Sequence, residues 1–137
     1  MAFQPYLNFR DNAREAFTRY HEIFGGNLVL LTGNDVPPGA DAPPAEFRDL
    51  IIHAALEVGD DFLMASDTGA ENFGPVQWMY VSYTTDEVAD ANRVFDALAE
   101  GGDVEVPFGQ TFFSPGFGVT KDRFGVPWMI STNQPQG

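Results

Sequence analysis

The spacing of hydrophobic and polar positions changes several times along the chain, and each change marks an element. From Gln4 to Phe9 the positions alternate, with Leu7 and Phe9 on one side and Gln4, Tyr6 and Asn8 on the other. That period of two predicts a half-buried strand. Asp11 or Asn12 is placed to cap a helix. The apolar residues Ala13, Ala16, Phe17, Tyr20 and Phe24 then recur at helical spacing and form one stripe. Gly25-Gly26 ends that helix, and Leu28 to Leu31 reads as a short apolar strand. Residues 33–47 hold four prolines and little to bury, which predicts a loop. Ile51 to Val58 reads as a strand, Gly59-Asp60-Asp61 as a tight turn, and Phe62 to Ala65 as the returning hairpin partner.

The same order then recurs. Val76 to Tyr83 reads as a strand, and Asp86 to Glu100 as a helix with Val88, Ala91, Val94, Phe95 and Leu98 on one face. Gly101-Gly102 stops it, as Gly25-Gly26 stops the first helix. Val104 to Val106 follows, then Phe117 to Thr120 and Val126 to Ile130 on either side of a turn at Asp122 to Gly125. The repetition is of pattern, not of residues. One such unit of ~60 residues is too small to bury much surface alone. The expected architecture is therefore α+β, a single domain over residues 1–137 built from two βαβββ modules, about 3–67 and about 76–132. Their strands would form a curved mixed sheet around a cleft, with the helices on the convex face. A ferredoxin-like fold is the nearest competitor, because it also alternates strands with two helices.

Charge narrows the function classes. The 137 residues include 20 Asp+Glu against 7 Lys+Arg, a net charge of −13. Phosphate neutralisation needs clustered cations, so a nucleic-acid partner is not expected. An anionic membrane surface is not expected either. The acidic residues are dispersed, as on a solvated surface. With no cysteine there is no disulfide, thiol nucleophile or thiolate metal site. Met1 to Pro5 has neither a basic region nor an apolar stretch, and no apolar run approaches the ~18 residues of a membrane span. A cytoplasmic location is the expectation.

The candidate chemistry lies on the strands. Alternation along the third strand sets Ile52, Ala54, Leu56 and Val58 under the helix, and Ile51, His53, Ala55 and Glu57 on the other face. A cleft-facing His53 can act as a general acid or base near neutral pH. It can equally be a histidine that only shapes a pocket wall. Tyr6, Asn8, Trp78 and Tyr80 share the cleft-facing parity of their strands, and Phe112 and Phe113 precede the seventh strand. Together they would make an aromatic, hydrogen-bonding pocket of the kind small organic ligands use. They would also serve to fill a collapsed cleft or a dimer contact. A Ser66–His53–Asp67 triad is conceivable only if the strand has ended, because adjacent Ser and Asp on a strand point to opposite faces. Gly116, Gly118 and Gly125 lack phosphate-loop spacing.

Three stretches resemble a known family. They are Pro5 to Phe9, the His53-Ala54-Ala55-Leu56 strand with Ser66-Asp67 after its hairpin, and the run from Gln110 through Phe117-Gly118-Val119-Thr120-Lys121-Asp122-Arg123-Phe124-Gly125-Val126-Pro127-Trp128-Met129-Ile130. Together they are similar to the PhnB-like branch of the vicinal oxygen chelate superfamily, which includes glyoxalase I, extradiol dioxygenases and bleomycin resistance proteins. The resemblance implies paired βαβββ modules and a homodimer. It also implies that metal ligands, where a member has them, come from the first and last strands of each module. The matching positions here are Gln4, Met64 or a neighbour, Trp78 (or Met79) and Met129. An amide, an indole and two thioethers do not suit a borderline divalent ion, so no metal and no cofactor are expected. Gln4 and Met129 join the expected ligand-binding set of Tyr6, Asn8, His53, Trp78, Tyr80, Phe112 and Phe113. Demethylubiquinone methyltransferase is a name attached to such sequences, but no glycine-rich nucleotide loop follows a strand here. The expected function is binding of a small organic molecule without the superfamily metal. The alternative is an isomerase, lyase or glyoxalase-type enzyme using His53 as acid/base or an atypical metal site.

Overall fold

The computed structural model describes residues 3–37, 44–69, 74 and 79–133. The chain divides into two compact units, Met1–Gly74 and Pro75–Gly137. Unit 1 contains β1 (Tyr6–Phe9), α1 (Ala13–Phe24), β2 (Asn27–Thr32), β3 (Ile51–Val58) and β4 (Asp61–Asp67). Unit 2 contains β5 (Val81–Thr85), α2 (Val88–Ala99), β6 (Asp103–Gly109), β7 (Phe117–Lys121) and β8 (Pro127–Thr132). Both βαβββ modules are thus present. The strands form two four-stranded sheets, ordered β1-β4-β3-β2 and β5-β8-β7-β6. Each sheet is mixed, because its first strand runs parallel to its last while the other neighbours are antiparallel.

In unit 1 the helix sits close to the sheet because the contact is built from small residues. Ala13 and Ala16 on α1, Ala54 on β3 and Ala65 on β4 are all completely buried. Phe17 and Tyr20 fill the remaining space, with Phe17 edge-on to Phe9 at 6.2 Å and to Tyr20 at 5.5 Å. The buried stripe ends on Ile23, and Phe24 is only half-buried. The N-terminus of α1 departs from the expected local cap. The Asn12 side chain makes no capping bond. Asp67, at the end of β4, takes its place: Oδ1 accepts the Ala13 N–H at 2.9 Å, and Oδ2 accepts the Ile51 N–H at 2.8 Å. One carboxylate therefore ties helix, β3 and β4 together.

The alternation along β3 holds for Ala54 and Leu56, which face α1, and for His53, Ala55 and Glu57 on the other side. It fails at the strand's start. Ile51 is buried and Ile52 exposed, the reverse of simple parity. The β2–β3 register shifts between Leu31 and Thr32, and such an irregularity turns the side chains beyond it to the opposite face.

In unit 2, α2 buries Ala91, Val94, Phe95 and Leu98 over β7 and β8. Trp128 and Ile130 on β8 are buried beneath it. The turn between β7 and β8 is organised by Asp122, which is buried. Its Oδ1 accepts the N–H groups of Phe124 (2.9 Å) and Val126 (3.0 Å), and its Oδ2 accepts the Trp128 Nε1–H at 2.9 Å. Residues 114–116 are fastened in a similar way. The buried Ser114 hydroxyl donates to the Gly116 carbonyl at 2.7 Å and accepts the N–H groups of Gly116 and Thr132. Of the strand expected over Val76 to Tyr83, residues 76–78 lie outside the described residues; β5 spans Val81–Thr85, and Met79 and Tyr80 precede it.

The paired glycines have a common cause. Gly26 and Gly102 each follow a helix, and a Cβ on either would collide with a carbonyl of the neighbouring strand, Glu57 O for Gly26 and Lys121 O for Gly102. No helix among the described residues is long and apolar enough to cross a membrane.

Candidate functional site

Among the described residues, each sheet has one face covered by the helix of its own unit and one face that this helix leaves uncovered. Strand pairing fixes which side chains share the uncovered face in unit 1. Tyr6 lies opposite Met64 and Asn8 opposite Ser66. Met64 lies opposite Ala55, Ala55 opposite Val29, and His53 opposite Leu31. Directly opposed residues point the same way, so these residues form one surface with Tyr6, Val29 and Leu31 about half exposed. The rings of Tyr6 and His53 approach across β4, with centroids 6.4 Å apart and planes at 34°. Among the described residues, the His53 side chain has no hydrogen bond. Gln4 lies just before β1 and is exposed. Hence Tyr6, Asn8 and His53 come together, while Gln4 stands at the strand's entrance. The Ser66–His53–Asp67 triad does not assemble. Ser66 shares the His53 face, but both Asp67 oxygens are turned to Ala13 and Ile51 on the helix side.

In unit 2 the uncovered face carries Met129, which lies opposite Ser82 and Val119, and Ser131, which lies opposite Thr84 and Phe117. Thr84 and Ser131 share a 3.4 Å hydroxyl contact. Phe113 packs edge-on against Phe117 at 5.0 Å, and Phe112 against Phe113 at 5.2 Å. Phe112 remains 91% exposed. Thr111 braces this loop, since its Oγ1 accepts the Ser114 N–H at 3.1 Å and its own N–H reaches the Ser114 carbonyl at 2.9 Å. Tyr80 is exposed, and its hydroxyl lies 3.4 Å from a Glu105 carboxylate oxygen. Trp78 lies outside the described residues. Met64 and Ser66, already named as a ligand-matching position and a triad candidate, belong to the uncovered faces, and so do Val29, Leu31 and Phe117, which the pattern did not single out as site residues. The signal that finds them is cross-strand register, which needs the pairing as well as the parity.

The donor set does not fit the superfamily's divalent ion. Gln4 offers an amide, Met64 and Met129 thioethers, and Met79 an exposed thioether. Borderline divalent ions prefer imidazole and carboxylate. Among the described residues, no group of three or more His, Cys, Asp or Glu gathers. The resolved electrostatic perturbation lies on the helix side of unit 2. Burial, then the bond and charge of Asp90, raises the Tyr83 phenol, whose hydroxyl donates to Asp90 at 2.7 Å. Bonds from Tyr83 and Arg93 hold Asp90 below the usual carboxylate range.

Two βαβββ modules with mixed sheets and one helix each are the fold of glyoxalase/bleomycin-resistance proteins. Solved proteins of that kind from Frankia sp. EAN1pec and Burkholderia phytofirmans PsJN align at 13% and 14% identity, each with a TM-score of 0.66, and show the fold alone. The chain belongs to the PhnB-like family described as 3-demethylubiquinone-9 3-methyltransferase, which matches residues 1–131. The crystal structure of protein PA1353 from Pseudomonas aeruginosa is 42% identical, with a TM-score of 0.88 over 98% of this chain and 99% of that one. A PhnB protein from Bacillus cereus, titled a putative 3-demethylubiquinone-9 3-methyltransferase, is 25% identical with a TM-score of 0.77 over 96% and 99%. Protein YjdN of Escherichia coli K12 is 30% identical over 144 residues, 99% of this chain and 98% of that protein.

Proposed function

We propose that this PhnB-like protein binds a small aromatic organic molecule on the uncovered sheet faces, without the superfamily metal, in the cytoplasm. The observation that carries this reading is the Tyr6–His53 ring pair, half open to solvent and flanked by Asn8 and Ser66. A planar ligand can stack on such rings while neighbouring amide and hydroxyl groups orient it. The braced Phe112–Phe113 pair supplies a second aromatic surface in unit 2. Ordering it in advance reduces what binding must spend on immobilising side chains. The test is a thermal-shift and calorimetric screen of aromatic and antibiotic-like compounds. Saturable binding that Tyr6→Ala and His53→Ala each weaken by at least tenfold is expected. Absence of any binder, or binding indifferent to both substitutions, would overturn the reading.

A second reading makes His53 an acid/base group in an isomerase or lyase. Its favouring observation is the ring's lack of a hydrogen-bond partner among the described residues, which leaves both nitrogens available to a substrate. Metal analysis of untagged protein separates the two readings from a metal-dependent one, because a stoichiometric transition metal would contradict the ligand argument above. The family description names methyl transfer. That chemistry requires a methyl donor, so failure of S-adenosylmethionine to bind would set it aside.

A further inference from the structure

The sheet of unit 1 holds small residues on both faces, for different reasons. Ala54 and Ala65 are completely buried on the helix side, where short side chains let α1 approach the strands. Ala55 points the other way and is half-buried, so the helix does not account for its size. It lies opposite Val29 on β2 and opposite Met64 on β4, and Met64 lies opposite Tyr6 on β1. One row, Val29–Ala55–Met64–Tyr6, therefore crosses the whole sheet, and Ala55 is the member that stops at its Cβ. His53, two residues earlier on β3, stands beside it on the same face, with Leu31 opposite. The floor of the face is thus lowest at Ala55, between aliphatic side chains and the Tyr6–His53 ring pair. Alanine is also a poor strand former, and a valine in this place would suit β3 better.

We infer that Ala55 is the residue that sets ligand size on this face, seating one flat ring that carries no anionic group. The inference rests on the reading that the face binds an aromatic molecule. A ring resting on the Ala55 methyl meets Val29 and Met64 at its sides and the Tyr6–His53 pair at one end, so a longer side chain at position 55 would occupy the same space. An added methyl or two in such a seat changes affinity by about 10–200-fold for each methylene-sized mismatch. Charge restricts the ring further. The strands β1 to β4 contain no Lys and no Arg. Glu57 is exposed on the His53–Ala55 side of β3, and the chain carries a net charge of −13. An anionic ligand would lose its hydration over apolar side chains with no fixed cation of unit 1's strands to replace it.

Fluorescence titration of the full chain with 2-naphthol, a planar probe that is neutral near neutral pH, tests this beside its carboxylate counterpart 2-naphthoate. Wild type should bind 2-naphthol saturably and 2-naphthoate at least about tenfold more weakly. Ala55→Val should weaken 2-naphthol by at least about tenfold, while Ala55→Ser, close to alanine in size, should retain it. Thermal unfolding separates a filled seat from a damaged fold: the melting temperature of Ala55→Val should equal or exceed that of wild type, because valine is the better strand residue. A lower melting temperature would mean that alanine is needed for packing and would overturn the inference. So would a wild type that does not bind 2-naphthol, equal affinities for the two probes, or an Ala55→Val variant that binds as wild type does. If Tyr6→Ala and His53→Ala weaken 2-naphthol while Ala55→Val does not, the inference alone falls. If neither Tyr6→Ala nor His53→Ala weakens it, the binding reading falls and the inference with it.

Discussion

The two units share an element order and strand topology but are pinned by different chemistry. In unit 1 one carboxylate, Asp67, reaches from the end of β4 to the first helical N–H and to the start of β3. In unit 2 the corresponding strand end is Thr132, whose N–H is shared between the Gly116 carbonyl at 3.0 Å and the Ser114 hydroxyl at 3.4 Å. The carboxylate of unit 2 works elsewhere, where Asp122 gathers two turn N–H groups and the Trp128 indole. The comparison shows that topology follows from the hydrophobic pattern and the turn glycines, which the units share. The polar pins are solutions found separately, since any acceptor that satisfies the buried donors will serve.

Asp122→Ala should break unit 2 most severely. It leaves two backbone N–H groups and the Trp128 Nε1–H without their acceptor, at ~1–3 kcal/mol for each buried unsatisfied group. A loss of about 4 kcal/mol in urea unfolding is expected. A loss below about 1 kcal/mol would mean that water replaces the carboxylate and that the turn is not pinned by it.

Asp67→Ala is the matching cut in unit 1. It removes acceptors for two N–H groups in a partly buried setting, so about 2–3 kcal/mol is expected. Asn12→Ala should cost under about 0.5 kcal/mol, because Asn12 caps nothing. If Asn12→Ala proved the costlier of the two, the long-range cap would be the wrong account of this helix.

The same pair shows how much of the molecule was legible in the sequence. Periodicity placed Ala13, Ala16, Phe17, Tyr20, Ala91, Val94, Phe95 and Leu98 on buried helix faces, because helical burial is a local property. Strand parity likewise set Tyr6 and Asn8 on one face of β1 and His53 on one face of β3. The cap at α1 was not legible. Its acceptor is 54 residues away, and any local reading favours Asp11 or Asn12. The exchange of Ile51 and Ile52 was also hidden, since it depends on a register shift against β2. The indole of Trp128 is buried and bonded to Asp122, a long-side-chain contact that strand parity does not show. Leu31, which lies opposite His53, became visible as part of this face only through pairing.

The glycine pair sharpens the comparison further. Gly26→Ala and Gly102→Ala both push a methyl group into a strand carbonyl. Gly26 also has φ +84°, a left-handed conformation that costs an L-residue ~1–2 kcal/mol. Gly26→Ala should therefore be the more destabilising by about 1 kcal/mol. Equal losses would show that the collision alone dominates in both units.

The smallest expected effect concerns the Tyr83–Asp90 pair that joins β5 to α2. Burial and Asp90 raise the Tyr83 phenol above its ordinary range. The folded state therefore holds that proton more tightly than the unfolded state does. The resulting stability is fully present below pH ~10 and is lost as pH rises through the raised value. Asp90 is held below its ordinary range by Tyr83 first and Arg93 second. Its contribution is present above pH ~4 and is lost as pH falls through the depressed value. Tyr83→Phe should abolish the pair's alkaline loss. It should reduce the acid loss without abolishing it, because Arg93 still lies 2.9 Å from Asp90. Unfolding curves collected from pH 3 to 11, an interval chosen to span both ranges with a margin of ~1 pH unit, would decide it. An unchanged slope at both ends would show that the hydroxyl bond between β5 and α2 does not distinguish unit 2 energetically from unit 1.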